Sequence, residues 1–444
     1  MSETWLKSTA SDLGRGIGAG EIDPVALTDT YLAAIDAHPL RDRIYAHVTH
    51  DRARAEARAA AARARIGRRL SLLDGVPISW KDLFETAGTP TEAGTAYLKG
   101  NTPEHDAVVL QNATRAGLVC LGKTHMSELA YSGLGYNPVT ATPPCVNDPS
   151  AAPGGSSSGA ATSVAFDLAA CGIGSDTGGS VRIPSAWNDL VGLKTTHGHL
   201  SLEGVVPLCL TFDTVGPLAR SVEDAVRVTA AMLGKGAPDL TGASLAGRRF
   251  LVLENIALED LEDAPRAGFD RALAALVAAG ATLEPRTLPS VEAAMPLAGP
   301  VFTVDAYSLW KDVIEADPSL MFPQILHRFR AGDAVSGVTY RQAWIALESL
   351  RAKYLEETAG FDAVLLPSSP NLPPNVERLA NDEDYYVQAN MLTLRNTRIA
   401  NLMGLCALSI PTGVPSTGLM MMGRPLGEDA LLRLGIAAEA AIGA

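Results

Sequence analysis

Short apolar runs broken by glycine alternate with helix-like stretches through much of this chain. Residues 72–80 (LLDGVPISW), 116–122 (AGLVCLG) and 167–176 (DLAACGIGSD) are of the first kind, and residues 107–117 are of the second. Apolar runs of this length, bounded by glycine, are typical of strands that are buried on both faces. Strands that alternate with helices predict an α/β fold with a largely buried sheet. A chain of 444 residues is long enough to form either two lobes or one large sheet.

The first 70 residues are predicted to be helical. Asp23 and Pro24 have the form of a helix N-cap followed by proline at the first helical position, and apolar residues follow at helical spacing. Residues 370–386 are polar and interrupted by proline, which predicts a long loop. The same patterns predict further helices near 220–235, 262–280 and 340–358, and further strands at 248–256 and 361–369.

The charge balance argues against a nucleic-acid or membrane-surface role. Lys and Arg total 36 against 49 Asp and Glu, a formal net charge of −13, which repels phosphates and anionic lipids. The basic run 52–69 is rich in alanine and has helical spacing, so it is interpreted as a solvated helix face. We therefore predict neither a nucleic-acid partner nor a membrane partner.

The cysteines and the N-terminus indicate a cytoplasmic protein. The five cysteines are scattered and include no C-x-x-C pair, as expected of reduced, buried thiols. The N-terminus lacks the basic and apolar regions of a signal peptide, and no run of about 18 apolar residues occurs.

Two glycine-serine segments and one lysine segment are the strongest candidates for a site. Gly178 and Gly179 stand directly before Ser180 in 174-GSDTGGSVRIPSA-186, and 153-PGGSSSGAATSVA-165 precedes that segment by one helix and one strand. Paired glycines beside a serine let backbone amides point at an anion, such as the oxyanion of acyl transfer. Residues 75–84 (GVPISWKDLF) place a lysine just after an apolar run.

A competing motif lies at residues 117–124. GLVCLGKT matches the phosphate-binding loop pattern, which requires a strand before it and an exposed loop. Here a helix precedes it and LVCL is itself strand-like, so a buried strand is the preferred interpretation. The zinc-binding helix pattern H-E-x-x-H does not occur in the sequence, so no metal is predicted.

Taken in order, these segments resemble the amidase signature family. The resemblance rests on GVPISWKDLF, GLVCLGKTHMSELA, PGGSSSG, GSDTGGSVRIPSAWNDLVGLK and PLCLTFDTVGPLARS, and it runs from about residue 5 to the C-terminus. It implies one large α/β domain over residues 1–444, with a central twisted mixed sheet covered by helices on both faces. Its parts would be a helical segment 1–70, a signature core 71–225 and an α/β remainder 226–444 with substrate-side loops.

The resemblance also implies a triad of Ser180, Ser156 and Lys81, with a cis peptide bond before Ser156. Ser180 would be the nucleophile, and Ser156 would relay protons between Ser180 and Lys81. Lys81 can act as a base only when neutral, so burial must lower its pKa from the usual value of about 10.4. Asp82 should therefore point away from Lys81. The oxyanion hole would consist of the backbone amides of Thr177, Gly178, Gly179 and Ser180.

Further residues are predicted to support the triad or to shape the substrate pocket. Gly155, Ser157 and Ser175 are the supporting candidates, and Arg182 is interpreted as structural. An aromatic-rich segment, containing Phe302, Tyr307, Trp310, Phe322, Phe329, Tyr340 and Trp344, is a candidate wall or lid over the site, although ordinary helix packing explains it as well. The predicted pocket residues are Tyr131, Leu208, Phe212, Trp310 and Phe329.

The predicted function is hydrolysis of a small-molecule amide, ester or carbamate through an acyl-enzyme. No cofactor and no metal is expected, and the protein would act as a monomer or homodimer. One alternative is the glutaminase component of a tRNA-dependent amidotransferase, which shares the signature but needs partner subunits. A remote alternative is a non-catalytic or phosphate-loop protein.

Overall fold

A computed structural model describes residues 2–443, and one mixed sheet of eleven strands runs through it. The spatial order of the strands is β1-β3-β2-β4-β6-β5-β10-β11-β9-β7-β8. The strands are β1 (Tyr45–Val48), β2 (Pro77–Lys81), β3 (Val119–Thr124), β4 (Cys171–Ser175), β5 (Val191–Lys194), β6 (Val215–Ala219), β7 (Arg249–Leu253), β8 (Thr282–Arg286), β9 (Ala363–Pro367), β10 (Ala407–Pro411) and β11 (Gly418–Met422).

Strand β2 pairs in parallel with β3 and β4, and β7 pairs in parallel with β8 and β9. The other pairings, from β4 through β6, β5, β10 and β11 to β9 and at the edge between β1 and β3, are antiparallel. The sheet is therefore mixed, as predicted.

Helices cover both faces of this sheet. On β11, Met420 and Met422 pack into one apolar core, and the alternate residues Leu419 and Met421 pack into another. Side chains of a strand alternate between faces, so each face has its own buried layer. The helices are α1 (Ser2–Lys7), α2 (Ala10–Ala19), α3 (Pro24–Ala37), α4 (Arg41–Ile44), α5 (His50–Arg65), α6 (Val108–Arg115), α7 (Ser158–Ala165), α8 (Arg182–Trp187), α9 (Val222–Leu233), α10 (Asp263–Ala278), α11 (Pro289–Ala294), α12 (Ala298–Ala316), α13 (Pro323–Arg330), α14 (Gly337–Glu357), α15 (Val376–Asn381), α16 (Glu383–Leu402) and α17 (Glu428–Ile442).

The helices predicted near 220–235, 262–280 and 340–358 are confirmed as α9, α10 and α14, and the strands predicted at 248–256 and 361–369 as β7 and β9. The predicted N-cap of α3 is also present, since the Asp23 carboxylate accepts from the amides of Val25 and Ala26.

Two local predictions were wrong. Residues 45–48 form the edge strand β1 instead of helix, because they pair with β3 at positions such as Tyr45 and Thr124. The predicted loop 370–386 contains α15 and the start of α16. Asn375 and Asp382 cap these two helices by accepting hydrogen bonds from the amides of Arg378 and Tyr385.

Residues 119–124 form the buried strand β3, as the apolar sequence predicted, so all but the first two residues that match the phosphate-loop pattern lie within the sheet. The side chain of Lys123 is buried and its Nζ lies 3.0 Å from Asp82 Oδ1.

Strand β5 of the predicted signature core pairs with β10 of the predicted remainder, so both segments contribute to one sheet. The boundaries proposed within residues 1–444 stay a prediction. No helix within residues 2–443 is both long and apolar enough to span a membrane.

Candidate active site

The carboxyl ends of the neighbouring interior strands β2 and β4 bring two polar side chains together. Lys81 is the last residue of β2, and Ser175 is the last residue of the parallel strand β4. Lys81 is fully buried, and its Nζ donates to Ser156 Oγ at 2.7 Å and to Ser175 Oγ at 2.8 Å. The lysine is therefore held between two hydroxyls.

The surroundings of Lys81 favour its neutral form. Burial lowers the pKa of Lys81 to about 7, although the charges of Asp176 and Asp213 act in the opposite direction. Asp82 points away, as expected, and its carboxylate faces Lys123. A lysine with this pKa is partly neutral near pH 7 and can accept a proton.

Ser156 reaches Lys81 through an unusual backbone. The peptide bond between Gly155 and Ser156 is cis. A Cβ on Gly155 would lie 2.4 Å from the amide nitrogen of Gly135, so only glycine fits at this point. The next residue, Ser157, donates its amide to the carbonyl of Ser180 at 3.2 Å, which ties the two serine segments together.

The loop that carries Ser180 is organised around Asp176. This carboxylate accepts from the amides of Gly179 at 2.9 Å and Val181 at 3.1 Å, and it pairs with Arg182 Nη2 at 2.8 Å. Burial raises the pKa of Asp176, but the Arg182 guanidinium and the hydrogen bonds outweigh that effect and bring it to about 2. The carboxylate is thus ionised, and Arg182 acts as its structural partner.

Three backbone amides around Ser180 have no hydrogen-bond acceptor in the described chain. The amide of Gly179 is already bonded to Asp176, whereas those of Thr177, Gly178 and Ser180 have no acceptor among residues 2–443. Buried amides are rarely left unpaired, so donors of this kind suit an oxyanion. Of the four predicted oxyanion donors, the amide of Gly179 therefore holds the loop, and the amides of the other three have no partner in the described chain.

A cavity of about 230 Å³ lies in front of Ser180. Its wall includes two of the predicted pocket residues, Tyr131 and Leu208, and one residue of the aromatic segment, Phe302. Thr177, Gly178 and Ser180 form its floor. The rest of the lining combines apolar residues such as Leu394 with the basic side chains of Arg328 and Arg398.

The other predicted pocket residues lie behind this wall. Phe212 packs on Phe302 with ring centroids 4.2 Å apart, and Phe329 packs on Tyr131 at 4.7 Å. Trp310 donates its indole N–H to the carbonyl of Pro207 at 2.9 Å. These three aromatic residues support the wall from outside the cavity.

Sequence reasoning missed two arginines of the cavity and the loop-holding Asp176. Arg328 on α13 and Arg398 on α16 both line the cavity, yet they lie far from the glycine-serine segments in the chain. The one available signal was the position of Arg398 directly before the apolar residues Ile399 and Ala400. A charged residue next to apolar residues tends to be buried, and a buried charge is usually either paired or functional.

Known proteins resemble this chain over nearly its whole length. The profile of the amidase family matches residues 26–432. The chain belongs to the amidase family. Among curated relatives, the 2-amino-5-chloromuconic acid deaminase of Comamonas testosteroni is 33% identical over 435 residues, covering 95% of this chain and 94% of that protein. A subunit of the glutamyl-tRNA(Gln) amidotransferase of an Anaeromyxobacter species is 34% identical, with coverage of 97% and 96%.

A solved structure described as an amidase superposes on this fold with a TM-score of 0.87 at 30% identity, covering 98% of this chain and 99% of its own. The present chain, as a member of the amidase family, is thus an enzyme that acts on carbon–nitrogen bonds.

Proposed function

We propose that this amidase hydrolyses a small-molecule amide through an acyl-enzyme formed on Ser180. The observation that carries the proposal is the buried lysine: Lys81, with a pKa near 7, donates to Ser156 at 2.7 Å beside the serine that faces the cavity. In this arrangement Ser180 is the nucleophile, Ser156 the proton relay and Lys81 the base.

The proposed reaction begins when neutral Lys81 takes a proton from Ser156, which takes one from Ser180. The Ser180 Oγ attacks the carbonyl carbon, and the resulting oxyanion accepts hydrogen bonds from the amides of Thr177, Gly178 and Ser180. Ser156 then gives a proton to the leaving nitrogen and regains one from protonated Lys81, so the C–N bond breaks, the amine departs and Lys81 is neutral again. Water, deprotonated by the same relay, attacks the acyl carbon and releases the acid.

The same steps extend to esters and carbamates, because only the leaving group or the acyl substituent differs. The cavity of about 230 Å³ suits a small acyl group. We propose that the protein carries out this reaction in the cytoplasm as a monomer or homodimer, without a cofactor.

A serine-reactive fluorophosphonate tests the proposal without knowledge of the substrate. We expect one adduct by intact mass, mapped to Ser180 and lost in Lys81→Ala and Ser156→Ala. Ser163→Ala is the matched control, because this buried serine of α7 bonds Ser79 at 2.7 Å outside the site. No adduct on the folded protein, or one that persists in Lys81→Ala, would contradict the proposed triad.

A second candidate function is that of the glutaminase component of a tRNA-dependent amidotransferase, favoured by the 34% identity over nearly the whole chain. Glutamine carries both a carboxylate and an ammonium group: the two arginines of the cavity offer partners to the carboxylate, but no Asp or Glu of the described chain lines the cavity to pair with the ammonium group. Such a wall repels the ammonium group. Glutaminase activity together with a co-purifying partner protein would favour this second candidate over the first.

A further inference from the structure

Two guanidinium groups line the same cavity as Ser180, and neither has an acidic partner. Within residues 2–443, no carboxylate forms an ion pair with Arg328 or Arg398. Arg398 is only 9% exposed and donates no hydrogen bond to a described residue, while Arg328 donates one, to the carbonyl of Tyr131 at 2.7 Å.

This arrangement differs from that of the other buried arginine in the site region. Arg182 is fully buried as well, but it pairs with Asp176 and bonds Asn401. Burial of a charge costs free energy unless a partner compensates it, and two neighbouring like charges add to the cost. Burial lowers the pKa of Arg398 to about 10, and the charge of Arg328 contributes to the lowering.

A third donor lies beside the two arginines. The hydroxyl of Tyr131 is buried without a hydrogen-bond partner in the described chain, and the Arg328 guanidinium sits over its ring at 4.3 Å from the centroid. Buried hydroxyls are normally bonded, so this group also lacks its acceptor. One carboxylate can accept hydrogen bonds from both guanidinium groups.

We propose that the substrate is a short amide whose acyl part ends in a carboxylate, held by Arg328 and Arg398. The inference rests on the proposed function, since it places this anion at the wall and the scissile amide at Ser180. Leu208, Phe302 and Leu394 line the cavity as well, and they suit a short apolar chain between the two groups.

A pair of reagents tests the proposal directly: two alkyl fluorophosphonates that differ only at the far end of the chain, carboxylate against methyl. We expect the protein to react about 10- to 100-fold faster with the acid reagent, the effect of a charge-assisted hydrogen bond. Arg398→Gln and Arg328→Gln should each remove most of this preference. Arg398→Lys should keep part of it, because lysine retains the charge without the planar fork.

Arg395→Gln is the matched control. Arg395 lies on the same helix, one turn before Arg398, but it pairs with Asp260 at 3.2 Å and does not line the cavity. The control should keep the full preference. Equal rates with the two reagents, or a preference that survives both arginine substitutions, would overturn the proposal.

A binding measurement separates this inference from the proposed chemistry. Calorimetric titration of Ser180→Ala with succinate, glutarate and adipate needs no nucleophile. At least one dicarboxylate should bind, and Arg398→Gln in the same background should weaken that binding about 10-fold or more. Failure of both reagents to label Ser180, with dicarboxylate binding intact, would refute the nucleophile alone. Absence of binding by all three acids would refute the anion site.

Discussion

At the scale of single residues, the site depends on charges whose protonation is set by burial. Lys81 and Asp176 are both fully buried, but Lys81 has only hydroxyl partners whereas Asp176 has an arginine. Burial therefore favours the neutral form of the lysine, and the arginine favours the ionised form of the carboxylate. The lysine is thereby suited to the proposed role of base, and the carboxylate holds its loop as an ion.

The reactivity of Ser180 should follow the deprotonation of Lys81. The folded-state pKa of about 7 lies below the usual lysine value, so the base form is lost as pH falls through 7. We expect the rate of labelling by a neutral fluorophosphonate to rise about tenfold per pH unit up to about pH 7 and then to level off.

Lys81→Arg provides the comparison for this profile. Arginine remains charged throughout the range, so the variant should react slowly at every pH. The measurement is the second-order labelling rate from about pH 5 to pH 9, corrected for hydrolysis of the reagent. A flat profile in the unsubstituted protein would show that Lys81 is not the base.

At the scale of elements, the Ser180 loop is formed against α16. The hydroxyl of Thr397 donates to the carbonyl of Gly178 at 2.8 Å, and Arg182 donates to the carbonyl of Thr397 at 2.6 Å. Helix α16 thus supports the loop and also carries Arg398 to the cavity. The packing leaves almost no room beside Gly179.

Gly179→Ala should destabilise the protein far more than Gly178→Ala. A Cβ on Gly179 would lie 2.1 Å from Thr397 Oγ1, and its φ of +143° disfavours any side chain, whereas a Cβ on Gly178 would meet only Leu394 Cδ2 at 3.6 Å. We expect a loss of about 1–3 kcal/mol for Gly179→Ala, the usual cost of overpacking, and less than about 0.5 kcal/mol for Gly178→Ala. Denaturant unfolding measures both, and equal losses would contradict the packing argument.

At the scale of the whole molecule, the segments 1–225 and 226–444, here called the two halves, share one sheet and one site. Strand β10 lies between β5 and β11, and Asn401 of α16 bonds both Asp176 and Arg182. Separating the halves would expose the edge of β5 and remove partners of a buried ion pair. Both consequences are costly, so the halves should unfold together.

We therefore expect a single cooperative unfolding transition for residues 1–444. Asn401→Ala removes a buried hydrogen-bonding group between the halves, at a cost of about 1–3 kcal/mol. This change should lower the midpoint of the single transition in scanning calorimetry without dividing it. Two separate transitions in either protein would contradict the prediction of one domain.

Much of the fold and the centre of the site could be predicted from local patterns. Alternating apolar runs and helical periods predicted the α/β sheet, because the period of side-chain burial follows backbone geometry. Paired glycines predicted backbone amides available to an anion around Ser180 for a similarly local reason. Residues 45–48 and 376–381 were predicted wrongly because strand pairing in the first case and capping side chains in the second outweighed weak local preferences.

The partners of the charged groups could not be predicted, because each depends on segments distant in the chain. Asp176 pairs with its near neighbour Arg182, yet only the folded loop shows that it also accepts a hydrogen bond from the amide of Gly179. Arg328 and Arg398 line the same cavity as Ser180 only because the fold brings α13 and α16 beside the Ser180 loop. A sequence records that a residue is charged, whereas the free energy of that charge depends on which groups the tertiary structure places around it.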